Sequence, residues 1–195
     1  MEVRLEKTFP IAAPAAKAWQ LLQDIKAVAE CMPGAQITEQ IDDTHYKGQV
    51  KMRVGPASAV FNGELEVKSL DPGQKKMEMV GKGTDASGAS AASMNLSAWV
   101  KEGGGGQCEL VGISDVSVSG KIANFGGRML TQVSDQILKQ FGDNFANRVI
   151  ALGEGAGAEK AAAAVAQQPK ELNGIALMWH ALLGFFRSLF GGGKA

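Results

Sequence analysis

The sequence predicts an α+β protein in which a curved, seven-stranded antiparallel sheet wraps a long C-terminal helix, with two short helices after the first strand and an apolar helix at the far C-terminus. Three observations predict it. From Ile122 to Ile150, Phe125, Met129, Val133, Ile137, Phe141, Phe145 and Val149 recur every fourth residue, with Leu130 and Leu138 widening the stripe, which is helical periodicity. A step of four residues advances about 400°, so the stripe drifts by about 40° each time and spirals, a shape that a curved sheet covers and a flat one does not. Seven runs with the two-residue alternation of half-buried strands precede that helix. Glycines at Gly48, Gly63, Gly81, Gly83, Gly88 and Gly112 fall inside or at the ends of these runs, where they permit strong bending.

In order, Val3, Leu5, Phe9 and Ile11 alternate with Arg4, Glu6, Thr8 and Pro10 as strand one. Pro14 stands where a first helical turn tolerates it, and Ala18, Trp19, Leu21 and Leu22 form the buried side of the helix that follows. Asp24 caps a second short helix, Ile25 to Glu30, which Pro33 and Gly34 stop. From Ala35 to Ser119 the pattern is β throughout. Ala35 to Ile41, His45 to Val54, Ala57 to Ser69, Lys75 to Thr84, Ser90 to Glu102 and Gln107 to Ser119 are the strands. Asp42-Asp43, Gly55-Pro56, Asp71-Pro72-Gly73 and Gly103 to Gly106 supply the turns between them. Such short connections make a meander the economical topology.

Composition sets the function classes. The chain has 195 residues, 45% hydrophobic and 21% charged, enough for one domain with a real core plus an extension. Formal net charge is zero, so no basic face is offered to nucleic acid. Met1 leads into the charged, alternating stretch Glu2 to Lys7 rather than an apolar signal core, and the two cysteines are Cys31 and Cys108. A reduced, cytoplasmic compartment is expected, which argues against a Cys31–Cys108 disulfide.

A bent sheet that grips a helix at one end and stands away from it at the other leaves a cavity. Its inward candidates are Met52, Phe61, Met77, Met79, Met94, Leu96, Met129 and Val133. Five of these eight are methionines, which suits a long, variable apolar guest, although methionine on a strand also serves as ordinary core. Catalysis finds little support. His45 and His180 are far apart in sequence, no cluster has metal-ligand spacing, no cysteine has a CxxC partner, and no GxSxG elbow occurs. Glu64, Asp85 and Asp115 are candidate bases at a cavity mouth, against the plainer reading of solvated turn or strand-edge carboxylates. Gly153 to Ala158 matches the loose dinucleotide pattern GxGxxA, but a helix precedes it and no strand follows, so the βαβ context is missing.

Residues 1–150 therefore form the ligand-binding domain, residues 151–170 a flexible Ala/Gly linker and residues 171–195 a hydrophobic membrane-anchoring helix with a Gly-rich tail. Within the linker, Glu159 to Gln168 has the composition of a transient helix that Pro169 breaks; as coil, Gly153 to Lys170 would span roughly 20 to 25 Å on average. Leu172 to Phe190 is apolar or glycine apart from Asn173, His180, Arg187 and Ser188. Leu177, Trp179, Leu182, Leu183, Phe185, Phe186, Leu189 and Phe190 are its membrane-facing candidates. Nineteen residues make about 28 Å of helix, near the hydrocarbon thickness of a bilayer. A tail-anchored span and an in-plane helix both remain open, as does a helix docked on the domain's own cavity mouth or in a homo-oligomer.

The element order resembles the helix-grip fold shared by START-type lipid carriers, polyketide cyclases and the birch-pollen allergen group. More narrowly, Cys31-Met32-Pro33-Gly34-Ala35, and Val54-Gly55-Pro56 followed by Phe61-Asn62-Gly63, resemble the G-subunit family of carbon monoxide dehydrogenase over about Met1 to Ile150. That resemblance implies a noncatalytic accessory protein; no covalently bound cofactor is expected, and the residue spacing leads to no metal. It further implies that the protein places a molybdenum-type dehydrogenase at the cytoplasmic side of the cell membrane while holding a quinone or other lipid in the grip cavity. The competing reading is a cyclase-like enzyme that folds a polyketide or aromatic substrate in the same cavity; it requires an ionisable pair there and no tail.

Overall fold

The computed structural model describes residues 1–54, 57–168 and 172–173. β1 (Glu2–Ile11), α1 (Ala15–Leu22), α2 (Ile25–Cys31) and β2 (Ala35–Gln40) come first. β3 (His45–Val54), β4 (Ala57–Asp71), β5 (Lys76–Asp85), β6 (Ser90–Glu102) and β7 (Cys108–Gly120) complete the main sheet. α3 (Gly126–Ala151), α4 (Ala156–Ala166) and the two-residue β8 (Leu172–Asn173) follow.

The sheet has the order β1-β7-β6-β5-β4-β3-β2, so β2 to β7 form the expected meander and β1 closes against the last long strand. Register is continuous from Glu2↔Ser117 to Ile11↔Cys108. The Met1 ammonium donates to the Val118 carbonyl at 2.8 Å, extending that seam by one rung. β8 runs parallel to β3, pairing Leu172 with Met52 and Asn173 with Arg53. It occupies the edge that β2 leaves open beyond its Ala35↔Val50 pair.

Turn chemistry behaves as the sequence predicts. The Asp24 carboxylate accepts the Ala27 N–H at 3.0 Å as the α2 cap. Asp42 accepts the N–H groups of Thr44 and His45, each at 2.7 Å, and Asp71 that of Gln74 at 3.0 Å. At the end of α2 the Cys-Met-Pro-Gly motif has a mechanical role. Gly34 adopts φ 78°, turning the chain so that its carbonyl accepts Lys51 N–H at 2.8 Å. Asn144 Nδ2 donates to the Cys31 carbonyl at 2.9 Å and Arg148 pairs with Glu30 at 2.9 Å. The motif thus clamps α2 to β3 on one side and to α3 on the other.

Two differences from expectation concern the helices. α3 begins at Gly126 rather than Ile122, because Lys121–Phe125 form a tighter 3₁₀ turn whose Ile122 N–H donates to Ser90 Oγ at 3.2 Å. The stretch 151–170, expected as a flexible linker, contains α4, which packs on α3 and buries Ala158 and Ala161. Alanine is the strongest helix former, and its small side chain lets two helices approach closely without a stripe of large apolar residues. Lys17 of α1 closes the C-terminal end of α3 by donating from Nζ to the Leu152 carbonyl at 2.9 Å.

Candidate ligand cavity

The contact between α3 and the sheet changes character along the helix. At the C-terminal end it is closed. Phe145 and Val149 are fully buried, and Ile11, Trp19, Leu22, Met77, Val100 and Leu110 surround them in one core. Phe9 seats its ring on the backbone of Gly142, where any Cβ would overlap it. The Phe9 and Phe141 rings meet edge to face at 6.0 Å, and the Phe141 and Phe145 ring centres lie 5.8 Å apart.

Toward the N-terminal half of α3 the inward positions of the sheet lose their side chains. Gly48, Gly63 and Gly83 pair across β3, β4 and β5 in one row, and Gly81 lies two residues away on β5 opposite Leu65. Gly63 is dictated by close approach: a Cβ there would run into the Lys82 carbonyl of β5, so the sheet bends where only bare backbone fits. Opposite this row, α3 presents Leu130, Val133 and Ile137. The space between is a cavity of about 520 Å³, within the range of small-molecule sites. Its apolar wall includes Ile37, Val50, Phe61, Leu65, Met94 and Val116, and Ser90, Asp85 and Lys121 stand among its polar residues.

Of the predicted guest-facing residues, Phe61, Met94 and Val133 line the cavity. Met77 and Met79 do not. They point inward as expected but are 1% and 6% exposed, packed into the closed core. Leu96 is partly buried against that same core and is also off the cavity wall. Their strand parity is right; their position along the strands puts them at the gripped end. The side chains of Met52 and Met129 lie outside the described residues, as do all eight membrane candidates from Leu177 to Phe190. Sequence reasoning missed Ile37, Val50, Leu65, Val116, Leu130 and Ile137, although the first four share the inward parity of the residues it chose.

Of the three candidate bases, Glu64 and Asp85 stand among the residues that line the cavity. Glu64 is exposed, and Asp115 lies on the convex face, paired with Arg4 at 3.2 Å. Burial alone would push the Asp85 carboxyl up, but hydrogen bonds from Ser87 Oγ at 3.0 Å and Ala89 N–H at 2.8 Å outweigh it and hold the group below its ordinary range. Asp85 is therefore an ionised turn residue at the cavity. Burial pushes the Cys31 thiol up to about 12, and its Sγ donates to the Ala27 carbonyl at 3.3 Å, so it is an inert core group. Cys31 and Cys108 are both free and buried. His45 sits in an exposed turn between Asp42 at 2.9 Å and Glu66 at 3.7 Å, and His180 lies outside the described residues. Among the described residues no group of three His, Cys, Asp or Glu side chains could hold a metal ion. Gly153 to Ala158 spans the α3–α4 connection and the first residues of α4, a helix–helix junction rather than a dinucleotide turn.

A second hollow, of about 690 Å³, lies on the convex face. The Arg4–Asp115 pair and the Lys76–Glu78 pair at 2.6 Å stand in its walls, so it is a solvated charged surface and not a place for an apolar guest.

An antiparallel sheet curled on a long helix that follows it, with an apolar hollow left between them, defines a helix-grip fold. Solved structures share this fold. A conserved protein from Geobacillus kaustophilus superposes with a TM-score of 0.68 at 17% identity, over 75% of this chain and 95% of that one. The Zhui aromatase/cyclase from Streptomyces sp. R1128 gives 0.56 at 18%, over 80% and 100%. A START superfamily protein from Mycobacterium smegmatis gives 0.56 at 18%, over 77% and 99%. The chain belongs to the CoxG family, the G-subunit family of carbon monoxide dehydrogenase, whose sequence profile matches residues 8–150. No curated protein sequence matches it.

Proposed function

We propose that the protein is a noncatalytic accessory factor that carries a hydrophobic lipid of the quinone class in its grip cavity. In the same reading it brings a molybdenum-type carbon monoxide dehydrogenase to the cytoplasmic side of the cell membrane. The observation that carries this reading is the cavity itself, floored by glycine backbone and walled mainly by aliphatic and aromatic side chains. Family membership supports the dehydrogenase partner through the family's name. The membrane role rests on the sequence of Leu172 to Phe190, almost all of it outside the described residues; no helix among the described residues is long and apolar enough to cross a membrane.

Affinity purification of the full-length protein from its native cells in mild detergent, with bound proteins and lipids identified together, tests all three elements. A quinone-class lipid and a dehydrogenase should co-purify. Recovery of neither, together with an unchanged melting temperature on adding quinone analogues, rejects the reading. The cyclase alternative keeps one foothold, the fold it shares with an aromatase/cyclase. Full biological activity in a chain lacking the apolar tail would favour it.

A further inference from the structure

We infer that the chain's own apolar segment, residues 174–190, is a second occupant of the cavity, seating Trp179, Leu182, Leu183 and Phe186 in its mouth when no lipid guest is present. This uses the same cavity as the carrier reading but does not depend on it. Four observations meet here. β8 delivers the segment to the site: Leu172 pairs with Met52, whose other partner is the wall residue Ala59, so the chain stands two strand spacings, about 10 Å, from the cavity wall. The direction is also right. β8 runs parallel to β3 and therefore points toward the strand ends at Val54, Asp85, Ser90 and Gly120, the end of the sheet at which Asp85, Ser90, Lys121 and Ile122 line the cavity.

The cavity wall needs cover. Val50, Phe61, Leu65, Met94, Leu130 and Val133 are only partly buried, so apolar surface faces the hollow from both the sheet and α3. Finally, residues 179, 182, 183 and 186 fall on one face at helical spacing, while Asn173, His180 and Arg187 share a different side. That is the pattern of an amphipathic helix laid in a groove. A helix about 10 Å wide does not enter a 520 Å³ space whole; its large side chains do.

α4 and β8 give the segment its advantage. A loose coil from Gly153 would spread the tail over tens of ångströms, whereas packing of α4 on α3 and pairing of β8 with β3 hold its root beside the strands that wall the cavity. Docking is then intramolecular, with a high effective concentration. Because the same residues cannot lie in the cavity and in a bilayer at once, lipid binding and tail release become linked.

The full-length chain tests this in detergent-free buffer. A photo-reactive benzoylphenylalanine at Leu183 should cross-link within the chain to peptides carrying Val50, Phe61 or Leu130 to Val133. The full-length double variant Leu183→Asp, Phe186→Asp should bind the apolar probe N-phenyl-1-naphthylamine about fivefold more tightly than the parent, because the competing occupant is lost. Cross-links confined to a second copy or to residues outside the cavity overturn the inference, as does probe affinity that both substitutions leave unchanged. A probe that binds neither chain rejects the carrier reading, while the cross-link pattern still decides where the tail sits.

Discussion

The two ends of the α3–sheet contact are built from the same strands with opposite distributions of side chains. At the gripped end, Met77, Met79, Val100 and Leu110 fill the concave face, and a single glycine on the helix, Gly142, admits Phe9. At the open end a cluster of glycines is on the sheet, at Gly48, Gly63, Gly81 and Gly83, while α3 turns Leu130, Val133 and Ile137 toward it. The cavity therefore exists because side chains are missing from the wall. α3 does not need to tilt away.

If that division is right, substitutions at the two ends should separate stability from binding. Phe145→Ala, at the gripped end, should cost about 3–5 kcal/mol in urea unfolding, whereas Val133→Ala, half-buried at the cavity, should cost under about 1.5 kcal/mol. Equal costs would mean that the ends are packed alike. Gly142→Ala should cost about 1–3 kcal/mol through overlap with Phe9, and adding Phe9→Leu should recover part of that loss in a double-mutant cycle.

Cys31 probes the closed side through pH. Its folded thiol is pushed up to about 12, above the roughly 8.5 of an unfolded cysteine. The native state therefore keeps its proton where the unfolded state loses it, and stability should fall as pH rises from about 8.5 toward 12. Unfolding curves at pH 8 and pH 10 should differ by about 1–2 kcal/mol more in the parent than in Cys31→Ala. Smallest in stability is Gly83→Leu. Its Cβ would meet only ordinary contacts, the nearest being the Asn62 carbonyl at 3.4 Å, and its side chain would enter the hollow. N-phenyl-1-naphthylamine binding should disappear while the unfolding midpoint hardly moves. Gly63→Leu, facing the Lys82 carbonyl, should instead unfold the sheet locally and lower the midpoint.

Much of this architecture can be read from the residues. Apolar spacing in α3, two-residue alternation in the strands and turn residues at Asp24, Asp42 and Asp71 each encode local geometry, and each appears where expected. The cavity wall is harder. Strand parity says that Met77 and Met94 both face inward, but only cross-strand register and the gripping point of Phe9 on Gly142 decide that Met77 is sealed and Met94 is not. The glycines show that the sheet bends, yet the alignment of Gly48, Gly63 and Gly83 in one row is a property of three strands paired together. Helical composition over Glu159 to Gln168 is legible, but the packing of α4 on α3 escaped because its buried residues, Ala158 and Ala161, are too small to register as an apolar stripe.

Pairing of β1 with β7 also bears on how the molecule assembles. Glu2 waits for Ser117 and Ile11 for Cys108, so roughly half the chain must be made before the N-terminal strand finds its neighbour. Closing so long a loop slows folding and delays it until β7 has left the ribosome. Until then β1 has an unsatisfied edge, and a nascent chain stalled before Gly120 is the form most exposed to mispairing with another copy.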